Sequence, residues 1–506
     1  MKKELMDKEV LCMFDTRQIQ KFMFRSNSML DTIGGSDLMV HIMNDAILYA
    51  LHNIDTPLSE DEYDLNTDRD AEIPYFTNEK IKFQLIICTA GNARCLVRTG
   101  ELAQKIIRKI SRYYLENGYS LNMTAAATLK TDNFGEDTFH LYDELTKIKA
   151  AGSVSNPLGA LSIIRKESNS GEPVIGIDPK MQDPISKSSE IRRKEGRKRP
   201  QIMDISDIKS TESAGKDYVA VVHADGNNFG IIIGRILQAT TSYEDGIRKN
   251  RFITRFISEN IRKLMEQTKE DLKKVYTETF PGEDDFEHAF TVVQQAGDDI
   301  NIIMNPSLVF PLVEIFYKNI DRANQSGSGF PFFAYMGIAF VSTDHSFLSA
   351  FEHAEECCAN AKAVAKSEEN LRNGFAGSWI DFHICDNPNT QELDILRETV
   401  ISVDGVNLLL RPYCIDSEAK DEDYYYNRLM QRATAMKEMP NREEWRRDIG
   451  FVYMHGKMDL QRWIDYTERY YHVEIKEKLG SAFYKKKGEP DRATWYDPAQ
   501  IIDFIV

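Results

Sequence analysis

The chain has 506 residues, 63 Lys+Arg against 79 Asp+Glu, and a formal net charge of −16. A hydrophobic fraction of 42% with 28% charged residues excludes general disorder, and the length leaves room for about three domains. The acidity excludes non-specific coating of nucleic acid over the whole surface, and leaves open a local basic groove or a bound cation.

From the N-terminus, Met1–Glu4 runs into a strand-like stretch, Glu9–Phe14, without the apolar core and small-residue cleavage site of a signal peptide. The apolar run ends at Asp15; a short turn, Thr16-Arg17-Gln18, opens a helical pattern. Phe83–Cys88 then enters Ala90-Gly91-Asn92-Ala93 and leaves as Cys95-Leu96-Val97, the pattern of a hairpin. Residues 153–215 are rich in Ser, Pro, Gly and Lys and hold the basic run Arg192-Arg193-Lys194 and Arg197-Lys198-Arg199. That run reads as a connecting loop, either solvated or in contact with phosphate groups.

The first layout then recurs. Tyr218–Val222 passes through His223-Ala224 to Asp225, and the turn Gly226-Asn227-Asn228 opens another helical pattern. Phe252, Phe256, Ile257, Ile261 and Leu264 share one face of a long helix. Phe290–Gln295 enters Ala296-Gly297-Asp298-Asp299 and leaves as Ile300–Met304. Asp225 and Asp298 are 73 residues apart, and Asp15 and its counterpart Asn92 are 77 apart, so the chain is predicted to hold two copies of one unit. A helix over 308–320, a buried strand over 332–340, a helix over 346–367 and a strand over 379–384 complete the second copy. The fold class expected is α+β, with two ferredoxin-like sheets carrying helices on one face. Beyond 395 helical patterns dominate, with Tyr424–Tyr426, Trp445, Trp463 and Trp495 as core aromatics.

No stretch of about 18 apolar residues occurs, so no membrane partner is expected and a cytoplasmic location is. The seven cysteines are scattered, with no Cys-x-x-Cys pair. They read as reduced, mostly buried thiols, not as a zinc ribbon.

Asp225, Asp298 and Asp299 are the residues predicted to do chemistry. Asp225 ends a strand; the adjacent pair sits in a hairpin turn flanked by apolar strands, where two like charges repel unless a cation holds them. Clustered hard oxygens suit Mg²⁺ or Mn²⁺, and two such ions can activate a 3′-hydroxyl and stabilise a leaving pyrophosphate. The turn Gly226-Asn227-Asn228-Phe229-Gly230 before a helix, with Gly297 in the hairpin, offers backbone N–H groups to a triphosphate. Asn360, Lys362 and Lys366 on the late helix are candidates for the phosphates. Ala354, Cys358, Ala361 and Ala365 form the small-residue face that packs on a sheet.

These motifs resemble the GGDD-type palm of the large subunit of type III CRISPR effector complexes, itself similar to GGDEF cyclases. The likeness rests on Asp225–Gly230, Ala296–Asp299, the helix from Ala354 to Lys366 followed by Ile380-Asp381-Phe382, and, in the first copy, Asp15–Phe22 and Gly34–Leu38. It spans roughly residues 8–390. It implies a degenerate first palm (1–152), a connecting segment (153–215), a catalytic palm (216–390) and a helical C-terminal domain (391–506). It further implies that Asp225, Asp298 and Asp299 hold two Mg²⁺ or Mn²⁺ ions. NTPs, ATP foremost, would be joined through 3′–5′ bonds into a cyclic oligonucleotide, a second messenger in antiviral defence, with RNA as activator, a downstream effector protein and a homodimer among the partners. The alternative is a non-catalytic palm-domain scaffold that binds RNA or nucleotides, or a sensor subunit of a defence complex. The chain departs from the pattern at Ala296 and Asn227, at Asn92 and Ala93 in the first copy, and in lacking the zinc-binding cysteine pairs and a preceding HD nuclease domain. It is expected to be a compact, stand-alone relative.

Overall fold

A computed structural model describes residues 3–506, except 27, 69, 90, 120, 153–161, 200–204, 214, 227–232, 235, 237–238, 297–298, 326–332, 368–376, 386–391, 416–421, 441 and 487. The chain divides into two compact units: residues 1–203 with 228–262 and 296–298, and residues 204–227 with 263–295 and 299–506.

The first unit is built on strands β1 (Val10–Arg17), β2 (Phe83–Thr89), β3 (Asn92–Val97) and β4 (Asn122–Leu129). Strand β1 lies between β3 and β4 and is antiparallel to both. Its central place explains why Val10 to Phe14 are all buried. The sheet order is β2-β3-β1-β4, with the two-residue strand Tyr63–Asp64 outside β2. Helices α1 (Met29–Asn53), α2 (Gly100–Asn117) and α3 (Phe134–Ala151) begin at side-chain caps: Ser28, Thr99 and Asn133 each accept a backbone N–H of their own first turn.

The basic run departs from its expected form. Residues Lys187–Gly196 form helix α4, not a loop, and both Arg192 and Arg193 are fully buried. Arg193 meets Asp31 at 2.8 Å, Asp178 at 3.3 Å and Glu167 at 3.4 Å. Arg192 donates to the Phe22 carbonyl at 3.1 Å. Buried guanidinium groups require such partners, so these two charges are consumed inside the unit and face no phosphate. Gly34, in the stretch that bears the first-copy likeness, lets α1 and α4 touch: a Cβ there would lie 1.7 Å from the Arg192 carbonyl oxygen.

The second unit contains β5 (Lys216–Gly226), β6 (Phe290–Ala296), β7 (Asp299–Met304), β8 (Ala334–Ser342), β9 (Trp379–Cys385) and β10 (Tyr413–Cys414), in the order β6-β7-β5-β8-β9-β10. Its first four strands repeat the order of the first sheet. Helix α5 (Tyr243–Thr279) is a single 37-residue element whose residues up to Arg262 belong to the first unit and the rest to the second; of its predicted apolar stripe, Ile261 and Leu264 are buried, while Phe252, Phe256 and Ile257 are half-buried. Helices α6 (Val309–Gln325) and α7 (Phe347–Ala365) follow the hairpin and β8. Helix α7 lies against the sheet through Ala354, Cys358, Ala361 and Ala365, all buried. The approach is close enough to require glycine in β8, where a Cβ on Gly337 would stand 1.9 Å from the Ala354 carbonyl oxygen.

Beyond β9 come the helix Leu393–Glu398, then β10 antiparallel to β9, and then helices Tyr426–Glu438, Arg442–Met454 and Lys457–Tyr471. Trp445 and Trp495 are fully buried in the core of this region, Tyr426 is buried, and Trp463 packs against it from a half-buried position. Arg411 is clamped by Asp497, which also accepts from the Tyr413 hydroxyl at 2.9 Å. All seven cysteines are free thiols; six are buried and Cys88 is half-buried. Among the described residues no helix is long and apolar enough to cross a membrane.

Candidate active site

Strand alternation builds one chemical face on the second sheet. His223 and Asn301 pair across β5 and β7, and their side chains meet at 2.7 Å. Residues two further along each strand point the same way. The register pairs Ile300 with Ala224; continued by one residue it sets Asp299 opposite Asp225. On the other side of β5, Asp225 pairs with Tyr335 of β8. Asp299, Asp225 and Tyr335 thus form a row across the end of the sheet.

Helix α7 covers this face, with Phe351 packed edge-on to His223. One turn past Cys358 its lysine Lys362 donates to Asp225 Oδ2. Lys362 and Lys366 each stand 6.0 Å from the centre of the Tyr335 ring. Burial, and after it the charge of Lys362, holds the Lys366 ammonium below the usual lysine range. Burial also pushes the Cys358 thiol up, and the charges of Asp225 and, least, Asp299 add to that effect. Gly226 ends β5 and is buried.

Not every predicted residue joins this cluster. Asn360 donates to Asp381 at 2.6 Å, and Asp381 is held in a two-pronged ion pair by Arg397 of the helix Leu393–Glu398 (2.7 and 3.0 Å). Two residues along a helix is about 200° of rotation, so Asn360 and Lys362 leave α7 on opposing sides. Asn227, Asn228, Phe229, Gly230, Gly297 and Asp298 lie outside the described residues. Tyr335 was not singled out from the sequence; its place beside Asp225 emerges only once the strand neighbours are known.

The first sheet carries the matching arrangement with less charge. Asp15 pairs with Asn92 across β1 and β3. Lys149 of α3 bonds Asp15 at 2.5 Å. Lys149 lies fifteen residues after Phe134, the start of its helix, and Lys362 fifteen after Phe347. Asn92 faces Asp15 in the first sheet, as Asp299 would face Asp225 if the β7–β5 register runs on by one residue past Ile300 and Ala224.

The two sheets thus share one strand order, and in each an aspartate near the end of the first strand is paired with a lysine of the helix that follows the fourth strand. The solved structures that the chain resembles include Csm1 chains of type III CRISPR complexes. A Csm1–Csm4 cassette in complex with cA4 matches with a TM-score of 0.54 at 12% identity, over 98% of this chain and 70% of that one. A Csm1–Csm4 cassette in complex with one ATP matches with a TM-score of 0.50 at 12% identity, over 99% and 70%. Csm1 from T. onnurineus matches with a TM-score of 0.50 at 14% identity, over 99% and 69%. At such identities the likeness establishes the shared fold. No protein-family model matches the chain, and no curated protein matches it.

Proposed function

We propose that the second sheet is a metal-dependent nucleotidyltransferase site that joins NTPs through 3′–5′ phosphodiester bonds, with a cyclic oligonucleotide as product. The observation that carries this reading is the row of Asp225 and Asp299 on one sheet face beneath the paired ammonium groups of Lys362 and Lys366. Two carboxylates at neighbouring strand ends are hard oxygen donors of the kind Mg²⁺ or Mn²⁺ takes, and Asp298 would add a third. A divalent ion held there would supply Lewis-acid stabilisation of phosphoryl oxygens. The chain's own residues do the rest. Lys362 neutralises Asp225 and turns to the β- and γ-phosphates when the carboxylate is engaged elsewhere. Lys366 is destabilised by its neighbour's charge, so an anion between the two relieves repulsion. The Gly226–Gly230 and Gly297 backbone would line the phosphate path. In the first sheet Asn92 replaces the second carboxylate, which supports a binding or structural role there. That the similar Csm1–Csm4 cassettes are in complex with one ATP and with cA4 supports adenine nucleotides as substrate and product.

The ion pair of Lys362 with Asp225 supports a second reading, a palm scaffold that binds nucleotides without turnover. Incubating the protein with Mg²⁺ or Mn²⁺ and each NTP, with and without RNA, and identifying products by mass spectrometry separates the two. Pyrophosphate and oligonucleotide are expected. Nucleotide-dependent thermal stabilisation without any product would favour the scaffold.

A further inference from the structure

Away from the carboxylate row, the second unit holds a cluster that the nucleotide chemistry does not use. His345 lies in the turn after β8, His353 on α7 and Cys385 at the end of β9, and all three are buried. One donor atom from each lies within 4.8 Å of the other two. His353 Nδ1 and Cys385 Sγ are 3.3 Å apart. Tetrahedral zinc, with bonds of roughly 2.0–2.3 Å, needs its ligand atoms about 3.3–3.6 Å from one another. The third member supplies the independent sign. His345 is 4% exposed, and neither of its ring nitrogens has a hydrogen-bond partner among the described residues. A buried imidazole with both nitrogens unanswered is costly, and a metal ion removes that cost at one of them.

We propose that His345, His353 and Cys385 bind a zinc ion that ties the β8 turn, helix α7 and strand β9 together. Two imidazoles and a thiolate are the donors zinc prefers and Mg²⁺ avoids, so this site and the aspartate row would select different metals. The fourth position is open to water. Coordination releases the Cys385 thiol proton to solvent and forms a Zn–S bond; no oxidant or reductant is needed. Because α7 also bears Lys362, the ion would fix the end of the helix that faces away from the nucleotide.

The test uses the full chain. After dialysis against Zn²⁺ in the presence of excess Mg²⁺, elemental analysis should find about one zinc per chain, and Co²⁺ in its place should give the intense absorption of tetrahedral thiolate coordination. Cys385→Ser should abolish the thiolate-to-cobalt band, and His345→Phe should lower zinc affinity at least tenfold. Chelation should lower the melting temperature of the wild type and leave that of His345→Phe unchanged. The variant supplies its own control of sign: without a metal, replacing a doubly unsatisfied imidazole by an apolar ring should stabilise the protein. Absence of the thiolate-to-cobalt band in wild-type protein, or a band that survives Cys385→Ser, would overturn the assignment even if His345→Phe fails to fold.

Discussion

Lys362 reaches from helix α7 to the carboxylate of Asp225 at the end of the central strand of its sheet. The contact joins the two elements on which the proposed chemistry depends. Asp225→Asn keeps the shape of the strand end and removes the charge. It should reduce NTP turnover by at least about 100-fold while leaving the circular dichroism spectrum unchanged. Asp299→Asn should do the same, since it faces Asp225 across the sheet. Full activity in both variants, measured as pyrophosphate release, would remove the carboxylate row from the mechanism.

Helical geometry separates two neighbours that the sequence grouped together. Lys362→Ala should raise the KM for NTP roughly tenfold, the loss of one charge-assisted phosphate contact. Asn360→Ala should leave that KM unchanged and cost about 1–2 kcal/mol of stability, because its partner is the buried Asp381–Arg397 pair. Steady-state kinetics beside urea denaturation of the two variants distinguishes them.

The buried Arg193 network gives a prediction with a pH sign. Burial raises the Asp178 carboxyl, but the backbone N–H groups of Met181 and Lys180 and the Arg197 guanidinium outweigh it and hold it below the usual carboxylate range. A depressed folded pKa stabilises above the unfolded value and is lost as pH falls through the folded one. Asp178→Asn should therefore be less stable than wild type by about 3 kcal/mol at pH 7. The gap should stay constant down to about pH 4.5 and narrow below about pH 4. Denaturant midpoints across that range measure it. RNA affinity should be unaffected by Arg193→Met, since the guanidinium is fully buried.

At Gly337 the strand and helix backbones leave no room for a side chain. Gly337→Ala should cost about 3 kcal/mol, as an overpacked site does, and should weaken nucleotide binding as well, because the displaced helix carries Lys362. A variant with wild-type melting temperature would contradict the close packing.

The strands and hairpins are legible in the sequence because apolar runs flanked by Asp and Gly turns have few alternative foldings, and the repeat makes each copy a check on the other. The burial of the small-residue face of α7 is legible for the same reason, and the candidates Asp225 and Lys362, named separately, prove to be ion-paired. The misreadings share a cause: each depends on a partner distant in the chain. Arg192 and Arg193 read as solvated because a run of charge is ordinarily a surface, and the carboxylate that cancels Arg193 most closely, Asp31, lies far upstream. His345, His353 and Cys385 come from three elements, so no local spacing announces them.

The lysine that locks Asp225, and its twin on Asp15, mean that neither strand end waits with a bare charge. In a chain with a net charge of −16, an unguarded carboxylate pair would collect whatever cation is abundant. On the proposed reading occupancy would be an exchange: a divalent ion and a triphosphate, together still net negative, would displace an internal counter-ion, the Lys362 ammonium, that has a phosphate to turn to. Binding by such an exchange should weaken as ionic strength rises, because the net negative ligand is drawn to Lys362 and Lys366, and Lys362→Ala should flatten that dependence.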